Sequence, residues 1–388
     1  MRKSRRKFLR RVWFHGVTFG VVGCCVTSQN KRIEADESTG AIGANRETKS
    51  TESTKSLDTT DEPQHSPTFV SMKVPTSQIA AGLAYLASRQ NSDGSFGEGI
   101  YRENPGVNSL VGLAFLAAGA VPSRQGPYRN VIDRTLDWIL RRVTTQQIAD
   151  TSDTTRGPMY SLGFATLFLA ECCGMSDRPE LGRTLRDAVR WIAAAQNKEG
   201  GWRYQMRPED ADISVTVCEV MALRAARNAG VYVPKEVIDR AIEYIRGCQN
   251  SDGGFMYMRS QGGVSAFARS AAALTGLYSC GIYDDPAVDR VVRYLMRFCP
   301  GENAERVDVY YFYGHYYAAM AMWQRGGPEW RQWYPAIRDE LCEKQLRVVL
   351  ERQSVGSWTD SGISPEFATA TALLALQVPL ERLPIFQR

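Results

Sequence analysis

Histidine is almost absent. Three occur in 388 residues, at positions 15, 65 and 315, and only His315 lies in the part of the chain rich enough in apolar residues to fold. That scarcity leaves nucleophile chemistry of the serine–histidine or cysteine–histidine kind with a single candidate base, and it excludes a histidine-rich metal centre. Cysteine is present but unpatterned: Cys172, Cys173, Cys218, Cys248, Cys280, Cys299 and Cys342 show no zinc-like spacing. No metal or other cofactor is therefore expected, and most of these thiols read as small apolar side chains on helices. Basic charge is scarce once the N-terminus is set aside. The formal net charge of +5 includes seven Lys/Arg and no acids in residues 1–27, leaving 40 basic against 42 acidic side chains. Binding through counterion release needs a basic surplus, so no nucleic-acid partner is expected.

Long hydrophobic runs are missing too, with one exception. Val12 to Val26 is apolar apart from His15 and Thr18, and it is shorter than the roughly 20 residues of a membrane span. It follows Ser4-Arg5-Arg6-Lys7-Phe8-Leu9-Arg10, which resembles a twin-arginine export motif. Residues 1–27 thus read as a signal peptide, and the protein is expected to be periplasmic or membrane-tethered. Val21-Val22-Gly23-Cys24 resembles a lipoprotein-processing site that would lipidate Cys24; an uncleaved anchor is the alternative. Either would give membrane association through the N-terminus. Residues 28–73 hold few large apolar side chains and read as a disordered tether, because too little surface can be buried to offset ordering entropy. A single folded domain is expected over 74–388.

What is abundant is self-similarity. The strings AYLASRQNSDGSF, RWIAAAQNKEGGW and EYIRGCQNSDGGF align around Gln90, Gln196 and Gln249, and RVVLERQSVGSW aligns at Gln353 with one residue missing. The intervals of 106, 53 and 104 residues imply degenerate copies ending near Val143 and Gly301, giving six repeats of about 53 residues. Tyr85, Trp138, Trp191, Tyr244, Tyr294 and Val348 hold the equivalent position before each glutamine. Each repeat pairs a helix with one apolar stripe and a helix rich in small apolar residues on all sides. Five of the second helices end at Gly119, Gly174, Gly230, Gly281 or Gly326, where a left-handed residue closes the last turn. Asn108, Asp212, Ser265 and Asp308 stand near their starts as candidate caps. The fold class is all-α, and the pattern predicts an (α/α)6 toroid with an inner and an outer ring. An open solenoid of helix pairs would expose the apolar helices along a groove.

The Gln-x-x-x-Gly-x-aromatic copies resemble the repeats of squalene and hopene cyclases and of protein prenyltransferase β subunits. The resemblance implies an α/α toroid whose centre binds a polyisoprenoid. It also extends to the turn Asp210-Ala211-Asp212-Ile213-Ser214, similar to the cyclase acid motif Asp-x-Asp-Asp-Thr. By that resemblance Asp212 is the acid and Asp210 its supporting carboxylate, with Ile213 standing where the family has its last aspartate. Helix capping by Asp210 and Asp212 is the structural alternative, and both can hold together. The zinc pattern of the prenyltransferases is not matched, since Val307-Asp308-Val309-Tyr310 has tyrosine in place of cysteine. Trp202, Tyr204, Tyr257, Asp308, Tyr310, Tyr311 and His315 are the candidate cavity-lining residues, whose rings could stabilise a carbocation. Tyr310, Tyr313 and Tyr317 share one helix face, and core packing is the other reading of that stripe.

Two functions follow. One is an exported cyclase-like isomerase acting on an isoprenoid lipid. The other is a binding toroid that has lost the chemistry.

Overall fold

The computed structural model describes residues 72–144, 157–307, 309–350, 353–359 and 362–387. The signal, lipidation and nearly all of the tether readings, and Asp308, lie outside these residues.

Why the described residues form twelve α-helices is visible in their faces. The helix α5 (Glu180–Ala195) buries Leu181, Leu185, Ala188, Val189 and Ile192 at three- and four-residue spacing, and leaves Arg183, Arg186 and Arg190 in solvent. Its companions α1 (Thr76–Ser88), α3 (Arg129–Thr144), α7 (Lys235–Gly247), α9 (Pro286–Met296) and α11 (Gly327–Lys344) form the rest of the outer layer. The inner helices are α2 (Pro105–Ala117), α4 (Gly157–Cys172), α6 (Ile213–Asn228), α8 (Phe267–Ser279), α10 (Tyr311–Arg325) and α12 (Pro365–Gln377). Every residue of α2 is buried, as sequences apolar all round demand. Each fully buried leucine contributes about 1.5–3 kcal/mol, so the inner layer is the main source of stability. Each inner helix packs on the next, and α12 returns to pack on α2. The ring is closed, which is the toroid rather than the solenoid.

The repeated glutamines tie this ring together. Gln196 Nε2 donates to Gly200 O and to Val237 O, both at 2.8 Å, fastening the end of α5 to the first turn of α7. Gln90 reaches Val131 O at 3.0 Å and Gln249 reaches Ala287 O at 2.9 Å in the same way. The glycine of the turn has φ +91° at Gly200, where a Cβ would sit 2.4 Å from Arg240 O. No other residue fits there. Gly119, Gly174, Gly230 and Gly281 take positive φ at their helix ends, as expected, whereas Gly326 has φ +69° with ψ −152°, outside the left-handed helical region, and leads directly into α11.

Two sequence readings need correction. In the sixth repeat the tying residue is Gln345, not Gln353: Gln345 Nε2 donates to Gln78 O of α1 at 2.9 Å and so closes the outer ring. The strands β1 (Leu346–Leu350) and β2 (Gln353–Ser357) form an antiparallel hairpin inserted between Gln345 and Trp358, and Val348 lies in it rather than on a helix. Val348 and Val349 alternate through an exposed strand, and Gly356 backs onto the Gln345 side chain. The missing residue in the alignment was the sign of this insertion. The caps also differ. Asn104 and Ser364 cap α2 and α12, while Asn108 lies inside α2 and accepts from Phe96 N; Ser265 donates to Asp252 instead of capping α8.

Removing the ring-closing tie loses one part-buried hydrogen bond between the ends of the outer layer. Gln345→Ala is expected to cost about 0.5–1.5 kcal/mol, read as a lower urea midpoint with unchanged slope.

Candidate active site

The turn after α5 is built outward from Trp202. Its indole is fully buried and donates from Nε1 to Ile192 O at 2.7 Å, while its backbone N–H donates to Thr216 Oγ1 at 3.1 Å. Trp358, Phe255 and Phe96 make the equivalent backbone contact to Thr369, Ser270 and Asn108. The carbonyl of Trp202 accepts from Asp212 N at 3.0 Å, and Ile213 N donates to Tyr257 O of the next repeat, also at 3.0 Å. Asp212 is thereby clamped between two repeats.

Its carboxyl is fully buried. Oδ1 accepts from Ser214 N and Val215 N, each at 2.9 Å, which makes Asp212 the N-cap of α6. Oδ2 lacks a well-aligned donor and lies 3.9 Å from Arg203 Nε. Arg203 is committed to an ion pair with Asp210 and sits over the Tyr204 ring. Burial pushes the Asp212 acid up to about 6, against the pull of the Val215 and Ser214 amides, Arg203 and the Tyr257 hydroxyl. A carboxyl of this kind is partly neutral near pH 6 and can give up a proton.

Ahead of this carboxyl the N-terminal ends of all six inner helices converge on a cavity of about 980 Å³. It reaches solvent at Val264 and Val309, which are 80% and 65% exposed. Its body is aromatic, with Tyr160, Phe164, Tyr204, Tyr257, Phe267 and Tyr313 in the wall. Arg269, Arg297 and Arg306 stand in the same wall with Asp252 and Glu305. Arg297 pairs with Glu305, and Arg269 Nε donates to Phe255 O at 2.9 Å.

Of the candidate lining residues, Tyr204, Tyr257 and Tyr310 are in the wall. Trp202, Tyr311 and His315 are not. Trp202 plugs the turn, and Tyr311 donates its hydroxyl to Glu340 of α11 at 2.8 Å. His315 packs against Tyr311 and Phe267 with ring centroids 4.4 and 4.8 Å apart, and burial drives its imidazole down to about 3, so it stays neutral. Tyr317 is buried in the ring. Neither Asp210 nor Asp212 is in the wall, whereas Ser214, whose N–H donates to Asp212, and Tyr204 and Tyr257 are. Tyr160, Phe164, Phe267 and the three arginines were not anticipated. Their signal was positional: Tyr160, Ser214, Phe267, Tyr313 and Phe367 all fall in the first turns of inner helices, where the ring converges.

Residues 68–165 and 158–299 match the prenyltransferase alpha-alpha toroid domain, and the chain belongs to that family. The toroid is terpenoid cyclase-like. Among curated proteins it is similar to drimenyl diphosphate synthase of Streptantibioticus cattleyicolor, 29% identical over 203 residues, 51% of this chain and 36% of the relative. The synthase of the same name from Streptomyces showdoensis is 25% identical over 201 residues, 52% of this chain and 36% of the relative. The match thus spans little more than a third of either relative. Among solved structures, a type II terpene cyclase from Scytonema, bound to geranylgeranyl dihydroxybenzoate as substrate, aligns with TM-score 0.51 and 17% identity, covering 79% of this chain and 97% of that one. Cellobiose 2-epimerase from Bacillus thermoamylovorans aligns with TM-score 0.53 and 10% identity over 77% of this chain and 98% of the epimerase. At such identities the likeness is one of fold.

Proposed function

We propose that this toroid is an acid-initiated cyclase or isomerase of a polyisoprenoid, with Asp212 as the source of the proton. The observation that carries the reading is a fully buried carboxyl, raised to about 6, bonded to a residue in the wall of an aromatic cavity of about 980 Å³. That volume suits a lipid-sized ligand. Apolar and aromatic walls fit the hydrocarbon chain, and the negative faces of Tyr160, Tyr204 and Tyr313 fit a developing carbocation. The arginines in the wall suit a substrate with an anionic end. The names of the relatives, a diphosphate synthase and a cyclase solved with a prenylated benzoate, support that chemical class. Arg203 stays paired with Asp210, so Asp210 holds the cation near Asp212 without acting on substrate.

The capping of α6 by Asp212 favours a second reading, a toroid that binds isoprenoids without converting them. Incubation of the purified chain with farnesyl diphosphate, geranylgeranyl diphosphate and squalene, followed by product analysis, separates the two. Cyclised or isomerised product supports the enzyme. Saturable binding of these probes without product supports the binding toroid. Export by the twin-arginine-type signal and lipidation at Cys24 form part of the same proposal, tested by fractionating cells that make the full chain and its Cys24→Ala variant.

A further inference from the structure

An acid that starts chemistry in a cavity should touch it, and Asp212 does not. We infer that Tyr257 and Tyr204 carry the proton from Asp212 into the cavity, a relay of two hydroxyls that rests on the acid reading of Asp212.

Geometry supplies the link between the two hydroxyls and brings Tyr257 to the acid turn, and the mutual electrostatics of Tyr257 and Asp212 supply the inner link. Tyr204 and Tyr257 both stand in the cavity wall, 53 residues apart in sequence, and their hydroxyl oxygens are 2.5 Å from each other. Tyr257 is fixed beside the acid turn because its carbonyl takes the Ile213 N–H at 3.0 Å. Its hydroxyl favours the ionised form of Asp212, and the Asp212 charge in turn helps hold the Tyr257 proton on its oxygen. Oδ2 makes no hydrogen bond among the described residues and is the oxygen that would exchange a proton with Tyr257, since Oδ1 is taken by two backbone amides.

Two hydroxyls in contact share one hydrogen bond, so their second proton points outward at one end or the other. With Asp212 protonated, its O–H donates to Tyr257, Tyr257 donates to Tyr204, and the Tyr204 proton faces the cavity. When an alkene carbon takes that proton, the Tyr257 proton moves to Tyr204 and the Asp212 proton moves to Tyr257. Each phenol oxygen gains one proton as it loses one, a carbon–hydrogen bond replaces the π bond, and a carbocation and the Asp212 carboxylate are left. Both hydroxyls now point back toward Asp212. Loss of a proton from the final cation, returned along the same path, restores the acid. The tyrosines never become charged, which matters because burial disfavours a free Tyr257 phenolate.

Hydrogen exchange at the carboxyl tests this without a substrate. In the full-length protein at about pH 5, the infrared band of the protonated Asp212 carboxyl is identified by its loss in Asp212→Asn, and its shift is followed on mixing into D2O. Tyr257→Phe and Tyr204→Phe are each expected to slow that exchange about tenfold or more. A purely structural role for the tyrosines would loosen the site and speed exchange, so acceleration in either variant overturns the relay, as does exchange unchanged in both. Absence of any band that depends on Asp212 overturns the acid reading itself and the relay with it.

Discussion

Asp212→Asn is expected to lower conversion of an isoprenoid probe by about 10²–10⁴-fold while the helix content and the urea slope stay those of the parent. Asparagine keeps an oxygen that can accept from Ser214 N and Val215 N, so the cap of α6 survives. It fills the same buried volume and loses only the proton. Asp212→Ala would lose the cap as well, and a fall in its activity would therefore say less. Asp210→Asn should have the smaller effect, because Asp210 works through its ion pair with Arg203. Product analysis with the parent and the two asparagine variants reads all three. Undiminished conversion by Asp212→Asn would remove Asp212 from the chemistry.

The same substitution should change stability in a pH-dependent way that capping alone does not. The folded acid stands at about 6 and the unfolded one at its ordinary value of 3.8, so burial disfavours the ionised form. Below the unfolded value both states are protonated and no penalty exists. As pH rises from 3.8 toward 6 the unfolded chain ionises first and folding loses about 3 kcal/mol, a loss that is complete above pH 6. Asparagine cannot ionise. The variant should therefore match the parent near about pH 3 and exceed it by up to about 3 kcal/mol near about pH 8, measured as urea midpoints. Glu219, also fully buried and driven upward by burial, destabilises both proteins alike and cancels in the difference. A residue that merely caps a helix predicts the reverse sign, since two amides on a charged carboxylate favour the ionised form.

The fold was legible because one physical unit is repeated. A period near 53, a glutamine whose amide bridges two outer helices, and second helices apolar on every side leave a closed ring as the arrangement that hides all the apolar faces. Reading failed where the repeat was interrupted. Gln353 carries the spacing of the motif, yet the tie is made by Gln345, because a hairpin separates it from the plug residue Trp358. Asp212, Tyr204 and Tyr257 could be singled out since they occupy fixed places after the plug. Trp202, Tyr311 and His315 could not be sorted from wall residues by pattern, because an inner helix is buried all round and its periodicity does not say which side meets the cavity. Tyr313 and Tyr317, four residues apart on one face, show the limit: one is in the wall and the other in the core.

The most direct test of Asp212 as a poised acid is its own titration. Carbon-13 labelling of aspartate carboxyls, with Asp212→Asn to assign the resonance, gives its midpoint in the folded protein. A midpoint near 6 is expected from the burial of the side chain. A midpoint at or below the ordinary 3.8 would show a carboxylate held by its amides and Arg203, a cap with no proton to give.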